Sequence, residues 1–132
     1  MRTSISAGLF SILVIVASSL SAIAADALPS DAVIQQRIVG TWRLNWIAFQ
    51  CTTTISTNGD YVANWSDRIR EEGTIEIRNG VMVNTLKKTS GANQPVPMPH
   101  VSTNTIIRLT DHELFFRARN ETQPLLWERA KQ

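Results

Sequence analysis

The stretch Gly40-Thr41-Trp42-Arg43-Leu44-Asn45-Trp46, residues 40–46, decides the fold. Trp42, Leu44 and Trp46 alternate with Arg43 and Asn45, which is the period of a half-buried strand whose successive side chains point to opposite faces. The same period returns at 51–56, 61–66, 73–78, 81–88, 103–109, 114–119 and 124–130, so the spacing predicts eight strands. Asn58-Gly59 and Asn79-Gly80 each read as a two-residue hairpin turn, because both central positions of a type I′ turn need positive φ. The segment 89–102 reads as a long loop, with Pro95, Pro97 and Pro99 holding it extended.

Eight sequential strands joined by short links predict an all-β, up-and-down antiparallel barrel, since closure removes the two exposed edges. The turns assign the faces, because residues opposite each other share one. Asn79-Gly80 sets Ile77 against Met82, Ile75 against Asn84 and Gly73 against Leu86. A four-residue turn at 110–113 sets Leu109 against Leu114, Ile107 against Phe116 and Thr105 against Ala118. The 58–59 hairpin is ambiguous: Ile55 with Val62, or Tyr61 with Ala63 and Trp65, form the inner set. The three short turns fall at the end where the first strand starts, making that end tight. The links at 47–50, 67–71, 89–102 and 120–123 make the other end loose. Closing the first strand on the eighth brings Arg129 over Trp42, a cation–π contact of about 0.5–2 kcal/mol.

Upstream, the chain changes character. Arg2, the apolar run at 7–17 and the small residues ending in Ala22-Ile23-Ala24 have the layout of a secretory signal peptide. The apolar run is well short of the roughly 20 residues that span a bilayer, so the expectation is cleavage and export to the periplasm or the medium, with no transmembrane segment in the mature chain. Removing 1–24 from the 132 residues leaves 108, enough for one domain. Within it, 25–37 reads as linker and short helix, with Ser30 as N-cap and Gly40 as stop, and 38–132 as the barrel domain. Losing Arg2 leaves twelve Lys and Arg against eleven Asp and Glu. So neutral a chain lacks the clustered positive charge that nucleic acid requires. Cys51 is the single cysteine, so no internal disulfide forms and the core must hold the fold.

Gly40-Thr41-Trp42 after a short helix, with Arg129 near the end of the last strand, resembles the lipocalin G-x-W motif and the arginine that packs across its tryptophan. The chain is similar in particular to compact bacterial lipocalin-like domain proteins, over residues 38–130. It lacks the disulfide, further motifs and C-terminal helix of larger lipocalins. The resemblance gives Gly40, Trp42 and Arg129 a structural role and implies binding of a small apolar ligand. Some relatives of this shape inhibit proteases, so the alternative is a protein-interaction or protease-inhibitor-type module acting through its loops or N-terminal segment.

The residues carry little catalytic chemistry. His100 and His112 fall at opposite ends of the expected barrel, and no metal-ligand spacing is present. Asp67, Glu71 and Glu72 lie among Arg68 and Arg70 and read as a solvated charged loop. No nucleophile, phosphate-loop or dinucleotide motif occurs, so neither an enzyme nor a cofactor is expected. The aromatic residues gather on strands seven, eight, one, two and three, one side of the closed wall. A ligand entering at the loose end would meet Trp46, Phe49, Trp65, Asn84, Leu86 and His100.

Overall fold

A computed structural model describes residues 27–45, 48–91 and 97–131; the expected signal segment and Trp46 lie outside the described residues. Among the described residues one helix, α1 (Asp31–Arg37), precedes eight strands: β1 (Gly40–Asn45), β2 (Gln50–Ile55), β3 (Asp60–Trp65), β4 (Arg70–Arg78), β5 (Val81–Ser90), β6 (His100–Leu109), β7 (Glu113–Ala118) and β8 (Leu125–Arg129). They form a closed antiparallel barrel in sequence order, with β1 sealed to β8. This is the up-and-down all-β architecture that the period-two pattern predicts.

The hairpins show how local chemistry sets register. Asn79 and Gly80 both take positive φ, at 52° and 71°, and the tight turn sets Ile77 against Met82, Ile75 against Asn84 and Gly73 against Leu86, as expected. The Asn58-Gly59 hairpin differs. There only Gly59 takes positive φ (87°), its N–H donates to the Ser56 carbonyl at 3.0 Å, and Ser56 N–H donates to Asp60. The Asn58 side chain bonds to both the backbone and the carboxylate of Asp60. The loop therefore has three residues with glycine as its bulge position, which sets Ile55 opposite Tyr61 rather than Val62. Ile55, Tyr61 and Ala63 consequently share the buried face.

A second correction falls on β6. Leu109 pairs with Leu114 as expected, but the register shifts between Ile106 and Arg108, so Ile106 rather than Ile107 meets Phe116. Ile107 is 43% exposed while Ile106 is 3% exposed. An extra residue in one strand reverses which face the preceding residues occupy. Asn104 is thereby buried, and Thr105 is turned outward opposite Arg117. Arg108 remains outside, paired with Glu113 at 3.1 Å and lying over the Phe115 ring. The strands also reach further into the 89–102 segment than its prolines imply: β5 continues to Ser90 along β4, and His100–Ser102 pair back onto β5.

The tight end is closed from below by α1. Ser30 caps the helix, its Oγ accepting from Val33 N–H at 3.4 Å. Ile34 and Ile38 are fully buried with Trp42, Ile55, Met82 and Leu114. Side chains of this class contribute roughly 1.5–3 kcal/mol each on leaving water. β4 outruns β3, whose Asp60 pairs with Thr74, and the Gln35 amide takes the orphaned Ile75 carbonyl (3.2 Å) and Ile77 N–H (2.9 Å). The Asp31 carboxylate accepts both turn amides, from Asn79 at 2.6 Å and Gly80 at 2.9 Å.

Across the seam Trp42 pairs with Arg129, whose guanidinium carbon lies 4.2 Å from the ring centroid. Arg129 also donates to the carbonyls of Asp111 (2.7 Å), Val39 (2.8 Å) and Arg37 (2.6 Å). The Trp42 indole donates to the Ile38 carbonyl at 2.7 Å. Gly40 has to be glycine, because a Cβ there would sit 2.5 Å from the Arg129 Nη1 and its φ is 129°. The G-x-W triplet and the distant arginine are thus one clasp.

Candidate functional site

Above this filled base the barrel is hollow. A cavity of about 240 Å³ opens toward the loose end. Its walls come from strand ends: Leu44 of β1, Cys51 and Thr53 of β2, Tyr61, Ala63 and Trp65 of β3, Glu71 and Ile75 of β4, Asn84 and Leu86 of β5, His100 and Ser102 of β6, Phe116 of β7, and Leu125 and Trp127 of β8. Phe116 and Trp127 meet edge to face, with centroids 5.1 Å apart. A dry cavity of about 150 Å³ accepts benzene, so this one has room for a single ring with a short arm.

Trp65, Asn84, Leu86 and His100 stand in the wall. Phe49 does not; it is 43% exposed in the β1–β2 link. Trp46 lies outside the described residues. His112 sits in the β6–β7 turn at the tight end, away from His100.

Glu71 departs from its expected place. It belongs to β4 and pairs with the buried Ala63, which puts it on the inner face. Glu72, one residue on, lies outside and binds Arg70 at 2.9 Å. The signal was present in the sequence: the inner alternation Ile77, Ile75, Gly73 reaches Glu71 when extended one step. The neighbouring arginines concealed it.

Two buried polar atoms of the wall have no hydrogen-bond partner among the described residues, the Trp65 indole Nε1 and the Asn84 Oδ1. An unmatched buried polar atom costs about 1–3 kcal/mol, so such atoms mark places where something else completes the bonding. Cys51 is buried and its thiol contacts the Thr53 hydroxyl at 3.5 Å. Burial raises its pKa, the Thr53 contact opposes that, and the Glu71 charge adds to it. The sulfur therefore stays a protonated thiol and a poor nucleophile.

Tyr61 is pushed up to about 12, first by burial, then by the negative charge of Glu71 and then by Cys51. As the single tyrosine it can be titrated alone by its absorbance. Its ionisation is expected near pH 12 in the folded protein against about 10 in the unfolded chain. The folded state then holds its proton more tightly, so this stabilisation is complete below about pH 10 and is lost as pH rises through about 12. An ionisation midpoint near 10 in the folded protein would show a solvated phenol.

No described helix is long and apolar enough to cross a membrane. No family model, curated protein or solved structure matches the chain.

Proposed function

We propose that this is an exported, lipocalin-like binding protein that holds a small, mainly apolar ligand in the mouth of its barrel and does not transform it. The observation that carries this reading is the hollow upper half, walled largely by apolar and aromatic side chains, with a donor at Trp65 and an acceptor at Asn84 that lack partners among the described residues. A site of this kind buries the ligand's body and orients it by a few polar groups. Binding without chemistry fits the thiol of Cys51, which burial holds in its protonated form.

Leucine at position 63 tests the reading. Ala63 is 4% exposed and borders the cavity, so A63L is expected to extend into empty space and leave the unfolding temperature within a few degrees. Binding of 2-naphthol, measured by calorimetry and by tryptophan fluorescence, is expected to weaken about tenfold or more, since each 1.4 kcal/mol of lost contact is tenfold. Equal binding by both proteins would place the probe elsewhere and remove the cavity from consideration.

The second reading is a contact surface for a protein partner. It is favoured by three apolar side chains left exposed at the loose end, Phe49 (43%), Met98 (36%) and Val101 (56%). Triple replacement by serine would abolish partner capture yet leave 2-naphthol binding intact.

A further inference from the structure

The cavity has a sign. Among the described residues, four aromatic side chains border it, Tyr61, Trp65, Phe116 and Trp127, and Glu71 is the one carboxylate. No Lys or Arg belongs to its described wall, where His100 is the one basic side chain. The neighbouring Arg70 is committed outward, where it binds Glu72 at 2.9 Å. Among the described residues, Glu71 forms no salt bridge. Its position is set by backbone pairing, between Ala63 on one side and Thr89 on the other, so it cannot turn outward without breaking register. A carboxylate on a half-enclosed, largely apolar wall is stabilised by something positive or hydrogen-donating that meets it. Its negative charge is felt across the cavity, where it helps hold both Tyr61 and Cys51 in their protonated forms, burial being the larger cause in each. Ring faces carry negative potential and attract organic cations.

We infer that the ligand is a small organic cation: a protonated amine on an apolar body of about one ring, with its ammonium against Glu71 and the surrounding ring faces. A ligand oxygen accepting from the Trp65 indole would complete the bonding of that orphaned donor. The same wall disfavours a carboxylate ligand such as a fatty acid, which would bring two negative charges together with no Lys or Arg of the described wall between them. A long acyl chain is also too large for about 240 Å³. This inference rests on the cavity being the ligand site.

The experiment compares three ligands on one scaffold, 3-phenylpropylamine, 3-phenylpropan-1-ol and 3-phenylpropionate, titrated by calorimetry at pH 7.5 into the intact protein and into E71Q. The amine is expected to bind at least tenfold tighter than the alcohol and the propionate weakest. E71Q should erase the advantage of the amine while leaving the alcohol unchanged. If the three bind equally, or the propionate binds best, the charge preference is overturned while the cavity remains a binding site. If none binds, the cavity reading fails and this inference with it. Tyr61 supplies an independent readout that needs no ligand: its ionisation midpoint is expected to fall in E71Q. An unmoved midpoint in a folded variant would mean that Glu71 does not face the cavity, which also overturns the inference.

Discussion

Trp42→Ala is expected to lower the free energy of unfolding by about 3–5 kcal/mol, the range for removing a fully buried large aromatic. Single domains have only about 5–15 kcal/mol in all, so the variant is left near the threshold of folding. Trp42 is 0% exposed, bonds to the Ile38 carbonyl and lies under the Arg129 guanidinium. Arg129→Ala is expected to cost nearly as much, because three backbone carbonyls lose their donor at once. Lysine should rescue little, since one ammonium cannot reproduce a planar fork that serves three acceptors and stacks on an indole. The double variant should lose less than the two single losses combined, since each side chain's contribution depends on the other. Denaturant unfolding measures all of these. A loss below about 1 kcal/mol for Trp42→Ala would show that the base of the barrel is held by something other than this clasp.

The next largest effect is expected at Gly73. A Cβ there would collide with the backbone carbonyl oxygen of Thr85 and come within 2.9 Å of the Tyr61 ring. The first contact is backbone and cannot rotate away, and Gly73 sits beside the register shift of β4 on β5. Gly73→Ala is therefore expected to cost at least about 2 kcal/mol, as strained and overpacked sites do. It should also displace Tyr61, whose ring borders the cavity, so the ionisation midpoint of Tyr61 and the affinity for 2-naphthol should move together with stability. A stable variant with both unchanged would mean that the two strands part freely at this point.

The architecture was legible because period-two alternation and Asn-Gly turns act locally. The register at 79–80 and the meeting of Trp42 with Arg129 follow from them without knowledge of distant contacts. The two departures in register each arise where one extra residue enters a strand pair. At 58–59 an Asn-Gly dipeptide serves equally in a two- or a three-residue loop, and the side-chain bonds of Asn58 to Asp60 accompany the longer one. At Ile107 two adjacent isoleucines offer either face, and the bulge is settled by where Arg108 finds Glu113 and Phe115. The candidate site was legible in part for the same reason. Trp65, Asn84 and Leu86 follow from alternation, whereas Glu71 was hidden by the charges around it. The unpartnered state of Trp65 Nε1 and Asn84 Oδ1 depends on every neighbouring strand, and no short window of sequence encodes it.

The β1–β8 seam pairs Trp42, Arg43 and Leu44 with Arg129, Glu128 and Trp127, and the Ala130 N–H donates to the Thr41 carbonyl at 2.8 Å. Its two sides are among the first and last residues of the domain to be synthesised. Until β8 emerges, a growing chain can at most be a curved ribbon with two bare borders, each able to pair with another copy. Pairing between such remote parts is slow, and the interval before it is when strand borders recruit wrong partners. Losing the final handful of residues would therefore do more than weaken the product: it would leave the ribbon permanently unjoined, a seed for stacking between chains instead of a vessel.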